Sequence, residues 1–503
     1  MTYGPAGDWR RLPPEAKQQL LEALQRRQGS RVSLRFKKLY RNDRVAFVHD
    51  CFNWREDEQP AAYQDEILAE MNKRIAVRAP HGAGKTTVGA WFVLHHALTR
   101  DGDASDWKCP TTASSWRQLT KFLWPEIGKW ARRLKWEAIG RPMFDKRTEL
   151  QALNLKLTTG EAFAAASDNA ELIEGAHADS LLFIFDEAKA IKPSLFDAAE
   201  GALSGGGNAE AFALAISTPG EPVGRFYDIH THKPGYEDWK VKHITLAEAI
   251  AAGRISAQWA EQRKKQWGEQ SAVYQNRVLG EFCASDEDSI IPLAWVEAAN
   301  ERWEQWNEAK EWLPFTCVSA DIARSEDGDK TVLALRHNDV ITELRRYTET
   351  DTMIVTGHIA GLLRARTGGY AIVDIIGIGA GVFDRLREQH LKVKAFNASE
   401  GTDAKDTSGE LRFLNKRAAA WWNLRELLDP ASGPTVAIPL DDRVIGDLTA
   451  PHWKPTSAGK IQVESKDEIR KRLGRSTDDG DAVVMAFFKE PDRGGWGVTS
   501  LDL

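Results

Sequence analysis

Short, uniformly apolar runs recur between residues 60 and 235, separated by segments of helical period. RIAVRA (74–79), LLFIF (181–185) and AFALAIS (211–217) have strand length. Their continuous apolarity suits parallel strands buried on both faces. Strand-like runs alternating with helix-like segments predict an α/β fold. Residues 245–280 predict helices, with Trp259, Trp267 and Tyr274 as packing anchors. A second α/β pattern begins near residue 315. TCVSADIA (316–323) predicts a strand, TVLALRH (331–337) its antiparallel partner, AIVDIIG (371–377) a further strand and GDAVVMAFFK (480–489) a helix. Asp327 and Asp329, in EDGDK (326–330), read as hairpin-turn residues. Upstream, PPEAKQQLLEALQRR (13–27) predicts a short amphipathic helix with Leu20, Leu21 and Leu24 on one face and two prolines at its start.

At 503 residues the chain exceeds what one hydrophobic core usually serves. The pattern divides it into an N-terminal helical and basic arm (1–55), a first α/β domain (56–282) ending in lid helices (about 237–280), a linker (283–315), a second α/β domain (316–490) and a Gly-rich tail (491–503). The arm's basic stretch (Arg31, Arg35, Lys37, Lys38, Arg41) reads as a solvated surface or as a docking, DNA-facing arm.

Composition narrows the picture. Net charge is 67 − 73 = −6, so no global basic field exists, and any nucleic-acid contact must be local. Nineteen Trp against eight Tyr read mainly as core and interface anchors. The four cysteines, Cys51, Cys109, Cys283 and Cys317, are scattered, which argues against a disulfide framework and a Cys zinc site and suits a reducing compartment. No run approaches the roughly 20 apolar residues of a membrane span. The N-terminus lacks the apolar core of a signal peptide. A cytoplasmic location is expected.

The first candidate chemistry is VRAPHGAGKTT (77–87). A strand precedes this loop and a helical pattern follows. Such a turn presents backbone N–H groups to a phosphate at a helix N-terminus. Gly82 and Gly84 shape it, Lys85 reaches the β- and γ-phosphates, and the Thr86 hydroxyl ligates Mg²⁺. His81 reads as a backbone passenger. The alternative, a plain Gly-rich turn, is weakened by SLLFIFDEA (180–188), five apolar residues followed by Asp186 and Glu187. Asp186 is the expected Mg²⁺ residue and Glu187 the general base for an attacking water. LAISTPG (214–220) ends another strand in Ser217 and Thr218, which either sense the γ-phosphate or form an ordinary turn. ATP binding and hydrolysis are expected.

The second is a set of carboxylates: Asp321, Asp374, and Asp478, Asp479 and Asp481 in STDDGDAVV (476–484). Two of them sit in strand-like runs, where an unpaired charge is costly. Converging carboxylates hold divalent metals, and a two-metal pair supports phosphodiester hydrolysis. Separate turn and cap aspartates are the alternative. Strand, hairpin, later strand and C-terminal helix match an RNase-H-like order.

Together, both halves resemble the large terminase subunit of tailed bacteriophages over residues 45–490. APHGAGKTT (79–87) is similar to its phosphate loop, FIFDEA (183–188) to its acidic pair and STPG (217–220) to its coupling motif. IEGAHAD (173–179), GRFY (224–227) and RVLGEF (277–282) are supporting matches. SADIA (319–323), IVDIIGIGAGV (372–382) and STDDGDAVVMAF (476–487) resemble its three acidic motifs. The resemblance implies a P-loop (RecA/ASCE-like) ATPase domain followed by an RNase-H-like nuclease domain. It implies Asp321, Asp374 and Asp481 as nuclease residues holding two Mg²⁺ or Mn²⁺ ions, with Asp478 in support. It also implies Gln64, in PAAYQDEIL (60–68), as the adenine-side residue. Asp329 stands one place early for the family's Gly-x-Asp-x-Thr pattern and is left out of the site. Ala79 replaces the loop's first Gly. The loop interior lacks the Arg some members carry there, so Arg78 or an Arg from a neighbouring subunit remains open.

The implied function is ATP-driven translocation of double-stranded DNA into a capsid, with metal-dependent cutting of concatemeric DNA. Implied partners are DNA, a portal protein and a small terminase subunit. The implied assembly is a ring on the portal, with a monomeric free state as the alternative. The implied location is the host cytoplasm, transiently at the procapsid and outside the mature virion. Two rival readings remain. A superfamily-2-type helicase is suggested by DEAK (186–189) and RKRLGRS (470–476), and would tolerate loss of Asp321. A non-catalytic ATP-gated scaffold would not need Glu187.

Overall fold

A computed structural model describes residues 31–489 and Glu15, except 57, 167–172, 174, 204–209, 285–287, 323–329 and 349–350. The predicted helix 13–27 (Glu15 apart), the turn aspartates Asp327 and Asp329, and the tail lie outside the described residues. The chain divides into two compact units, Met1–Ala257 with Asn276–Phe282, and Gln258–Gln275 with Cys283–Leu503. Among the described residues no helix is long and apolar enough to cross a membrane.

The first unit is built on a seven-stranded sheet of order β3-β4-β2-β5-β6-β1-β7. Its strands are β1 (Arg74–Arg78), β2 (Trp107–Ala113), β3 (Asn154–Lys156), β4 (Gly160–Ala165), β5 (Ser180–Asp186), β6 (Glu210–Ser217) and β7 (Trp239–His243). Only the β3–β4 pairing is antiparallel. The central strands are apolar throughout because helices cover both faces, and every residue of β5 is buried. Helices α1 (Arg44–Cys51), α2 (Ala62–Ala69) and α3 (Lys85–Arg100) precede or follow β1. Trp54, Trp91 and Trp130 pack against one another with ring centroids 5.1–5.6 Å apart, bearing out the reading of tryptophan as core anchor. The stretch predicted as lid helices from residue 237 opens with β7, which pairs with β1 inside the sheet. A lone apolar-to-polar alternation, WKVKH, is too short to separate an edge strand from a loop by sequence.

In the second unit α4 (Ala257–Trp267) precedes α5 (Leu293–Ala309), a 17-residue helix where the sequence pattern predicts a linker. Apolar and polar positions are nearly balanced in that helix, but only Leu293, Val296, Ala299 and Asn300 are buried, so the buried stripe is narrow. The sheet has the order β10-β9-β8-β11-β12: β8 (Phe315–Asp321), β9 (Thr331–His337), β10 (Val340–Tyr347), β11 (Tyr370–Asp374) and β12 (Val393–Phe396). The first three are antiparallel and β8, β11 and β12 parallel, the RNase-H-like arrangement. Further on come α6 (Thr352–Arg364), α7 (Gly379–Glu388) and α8 (Lys416–Leu428). A small sheet of β13 (Arg412–Phe413), β14 (Trp453–Pro455) and β15 (Lys460–Val463) is followed by α10 (Lys466–Leu473) and α11 (Asp478–Phe487), with α9 (Asp442–Thr449) between β13 and β14.

Alternation along the strands aims the acidic residues. Val318 and Ala320 of β8, and Ala371 and Val373 of β11, enter the core with Val355 and Ile359 of α6 and Val382 of α7. Cys317, Ser319 and Asp321 therefore take the opposite face, as do Ile372 and Asp374. There Ser319 Oγ donates to Ala482 O at 2.5 Å and Cys317 Sγ lies 3.5 Å from Ala486 O, which seats α11 on that face.

Candidate active sites

In the first unit β6 lies between β1 and β5, and Asp186 is in register with Ile216 while Arg78 is in register with Ser217. The tips of three parallel strands thus bring the loop, the acidic pair and the hydroxyl pair together. Gly82 (φ 84°) and Gly84 (φ 78°) hold left-handed conformations that side chains disfavour, which turns the loop into α3. Lys85 is buried. Its Nζ donates to Pro80 O at 2.9 Å and to Thr218 Oγ1 at 3.0 Å. Thr86 is half-buried at the helix start. His81 donates its backbone N–H to Arg277 O at 2.8 Å.

Asp186 is buried, and burial with the adjacent Glu187 pushes its carboxyl up to about 7 against the pull of Lys85. A carboxylate so disfavoured in its charged form, beside a lysine already bonded to loop carbonyls, fits a site completed by Mg²⁺ with a nucleotide. Glu187 sits at φ 49°, a left-handed conformation uncommon outside glycine and asparagine. Ser217 Oγ donates to Glu187 Oε2 at 3.1 Å. Ser217 Oγ also lies 2.7 Å from Thr218 O, so its one proton is shared between that carbonyl and the acid, while the Thr218 hydroxyl meets the lysine.

Gln64 is buried. Its Oε1 accepts from Ala61 N at 2.9 Å and its Nε2 lies 3.4 Å from Gly84 O, so its amide braces the loop. Arg78 is also engaged: it pairs with Glu281, donates to Gly280 O at 3.3 Å and lies 5.3 Å from the Phe282 ring centroid. Gly280 (φ 71°) approaches the loop so closely that a Cβ there would stand 2.9 Å from Pro80 Cδ and 3.1 Å from Ala79 C.

In the second unit Asp321 is buried at the end of β8 and Asp374 stands half-buried at the end of β11. Asp478 and Asp481 share the first turn of α11 at i and i+3, hence one face. Lys466 joins them: its Nζ lies 2.7 Å from Asp321 Oδ2, 3.4 Å from Asp481 Oδ2 and 3.7 Å from Asp478 Oδ1. Asp374, Lys466, Asp481 and Arg417 line one pocket with Trp421. Burial pushes Asp321 up to about 8, with Lys466 opposing and Asp478 and Asp481 reinforcing. Burial also raises Asp374. Asp481 goes the other way. Burial is outweighed by Arg417 and Lys466 and by hydrogen bonds from Trp421 Nε1 and Thr477 Oγ1, both at 2.9 Å. Asp479 turns away to pair with Arg346.

Among the described residues no group of three or more His, Cys, Asp or Glu stands arranged to hold a metal ion. The lysine ammonium occupies the middle of the cluster instead. The donor set still fits a divalent cation, since it is all oxygen and carries more carboxylates than the protein's own cations neutralise.

Sequence reading missed Lys466 and Arg417. Both had a signal. Lys466 is the first residue of α10 and Arg417 the second of α8, and a cation there opposes the helix dipole. Such a placement needs a carboxylate partner elsewhere. Neither partner is visible without the fold.

A phosphate loop, an acidic strand tip and a hydroxyl tip on a parallel sheet define a P-loop NTPase unit. A carboxylate cluster on an RNase-H-like sheet defines a nuclease-type unit. Residues 77–298 match the family model described as "Terminase large subunit, T4likevirus-type, N-terminal". The protein named "Probable terminase, large subunit" of Enterobacteria phage P7 is 25% identical over 479 residues, 90% of this chain and 91% of that one. Both matches are to terminase large subunits, so that is the family this chain is similar to. The structure of a large terminase from a thermophilic bacteriophage in complex with ADP covers 85% of this chain and 98% of its own, at 14% identity and a TM-score of 0.39. A point mutant of the nuclease domain of the large terminase subunit of bacterial virus Sf6, solved with manganese, covers 40% of this chain and 99% of its own, at 20% identity and a TM-score of 0.34.

Proposed function

We propose that this chain is a viral DNA-packaging motor subunit, an ATPase that drives double-stranded DNA into a capsid and a metal-dependent endonuclease that cuts concatemeric DNA. The observation that carries the reading is the presence of both sites in one chain: Lys85, Thr218, Asp186 and Glu187 at one set of strand tips, and Asp321, Asp374, Asp478 and Asp481 around Lys466 in the other unit.

In the first site Lys85 leaves the loop carbonyls to take the β- and γ-phosphates, which Gly82 and Gly84 allow the backbone to approach. Gln64 braces the loop on the adenine side. Thr86 and Asp186 would hold the Mg²⁺ that accompanies ATP. Glu187 takes the proton of the attacking water, held in place by Ser217. Release of Lys85 from Thr218 reports the phosphate to β6.

In the second site Asp321, Asp374 and Asp481, with Asp478 in support, would hold two Mg²⁺ or Mn²⁺ ions. When bound, such ions activate water and stabilise charge on the phosphodiester. The protein's part is to aim these carboxylates from two strand ends and one helix turn.

The ATPase domain is assigned to residues 56–282 and the nuclease domain to 316–490. DNA is gripped through its backbone, the sequence-independent mode that translocation requires. The partners are a portal protein and a small terminase subunit, the assembly a ring on the portal, and the setting the host cytoplasm at the procapsid.

The helicase reading needs a second parallel-sheet motor. The second unit instead opens with the antiparallel β8–β9–β10, and Arg475 of the suggestive RKRLGRS is bound to Asp447 and to Gln266 O. The test is packaging itself: the protein, portal-bearing procapsids, ATP and linear DNA, followed by external nuclease. The reading requires DNA protected only when ATP is present; absence of ATP-dependent protection under all portal and DNA conditions contradicts it.

A further inference from the structure

We infer that Arg417 is the residue that takes the scissile phosphate of DNA in the second unit, an inference that rests on the nuclease reading above. Arg417 is 9% exposed, at the second position of α8. Its Nη1 is anchored on Glu464 O, and Trp421 lies beneath the guanidinium with its ring centroid 5.5 Å away. These two contacts fix the plane of the group.

The remaining side of the fork makes no hydrogen bond. Nε and Nη2 are both buried and neither has a hydrogen-bond partner. Nη2 lies 3.3 Å from Asp481 Oδ1, close enough for charge attraction, but Asp481 already accepts from Trp421 Nε1 on Oδ1 and Thr477 Oγ1 on Oδ2. Leaving a buried donor unsatisfied is destabilising, more so for a charged group. Native cores seldom keep such donors without a use.

Arg417 lines the same pocket as Asp374, Lys466 and Asp481. Lys466 is surrounded by three carboxylates and is committed to them. Arg417 is the cation of that pocket with donors to spare. Two adjacent N–H groups on a planar fork match two oxygens of a phosphodiester, a geometry a lysine cannot supply. Charge points the same way. Four carboxylates (Asp321, Asp374, Asp478, Asp481) repel an approaching phosphate, and a fixed guanidinium beside them offsets that repulsion and stabilises the extra charge of the transition state.

The experiment uses the full chain and compares wild type, Arg417→Gln, Arg417→Lys and Asp374→Ala. Cleavage of a duplex is followed with Mn²⁺, Mn²⁺ binding by calorimetry, duplex binding in Ca²⁺, and ATP hydrolysis as a control. Arg417→Gln is expected to lower kcat about 100-fold, the usual loss for one preorganised donor. It should weaken duplex binding in Ca²⁺, and leave ATPase activity and Mn²⁺ affinity within about threefold of wild type, since a cation removed from the site does not weaken a metal's hold. Arg417→Lys keeps the charge without the fork and should remain at least about tenfold slow with an unchanged Tm. If Arg417→Gln unfolds the protein, the Lys variant decides alone. Cleavage by either variant near the wild-type rate overturns the inference. So does a parallel loss of Mn²⁺ affinity and kcat, which would make Arg417 a support for Asp481 only. Failure of the nuclease reading looks different: wild type does not cut, or Asp374→Ala cuts as well as wild type, and the inference falls with it.

Discussion

Lys466 Nζ donates to Asp321 Oδ2 at 2.7 Å, joining the end of β8 to the first turn of α10 in the middle of three carboxylates. The ammonium stands where a divalent cation would neutralise the same charges. Half-buried among acids, Lys466 is held protonated: desolvation is overcome by Asp321, Asp481 and Asp478. Lys466→Ala should therefore cost stability without metal, about 1–3 kcal/mol since solvent screens the half-buried lysine, and Mn²⁺ should restore it. Thermal unfolding in EDTA and in Mn²⁺ measures both. A variant as stable as wild type in EDTA would show that the ammonium does not neutralise the cluster.

Glu187 carries its carboxylate from a left-handed backbone position, with Ser217 on one oxygen. Glu187→Gln keeps size and hydrogen-bonding capacity but cannot accept the water's proton. Hydrolysis of ATP should fall by about 10²–10⁴ while nucleotide binding persists. A fluorescent-nucleotide titration beside a phosphate-release assay separates the two. Equal losses in both would assign Glu187 to binding rather than to proton transfer.

The 276–282 segment presses on the phosphate loop through Gly280. Gly280→Ala adds a Cβ within 3.0 Å of Pro80 N at a φ of 71°. Strain of roughly 1–3 kcal/mol is expected from such a residue, and the loop must shift to relieve it. ATP affinity should drop in this variant more than overall Tm does. Unchanged affinity would mean that the loop yields freely.

His95 and His96 are buried on α3, and burial with Arg100 nearby holds both well below the usual imidazole range. A folded-state pKa below the unfolded value of about 6.5 gives stability that is present above that pH and lost as pH falls through the window beneath it. His96→Gln removes one such group. The stability gap between wild type and His96→Gln should shrink by up to about 1.4 kcal/mol per pH unit below about 6.5. Urea unfolding at pH 7.5 and 5.5 reads it. A gap independent of pH would place His96 in contact with water.

The sequence made the strand-borne chemistry legible. Apolar runs that end abruptly in Asp186 or Ser217 state both an element and the residue at its tip. Asp321 and Asp374 were legible as charges inside runs drawn to 323 and 377, and the strands end at those aspartates instead. The α11 aspartates were legible for a related reason, a DDGD turn opening an apolar helix. The 293–309 helix and the β7 strand were not, since few of their side chains are buried and periodicity fades with them. Lys466 and Arg417 were hidden because their partners, Asp321 and Asp481, are 145 and 64 residues away in sequence by subtraction of residue numbers. Ion pairs of that kind exist only once the sheet has formed. Gln64 was marked only weakly, through the resemblance, and its amide lies between Ala61 N and Gly84 O.

The central claim is that one chain carries two separable catalytic sites. The direct measurement assays ATP hydrolysis and Mn²⁺-dependent plasmid cleavage on the same preparations of wild type, Glu187→Gln and Asp374→Ala. Wild type should do both, Glu187→Gln should cut without hydrolysing ATP, and Asp374→Ala should hydrolyse ATP without cutting. Loss of both activities in either variant, or cleavage by Asp374→Ala at the wild-type rate, would contradict it.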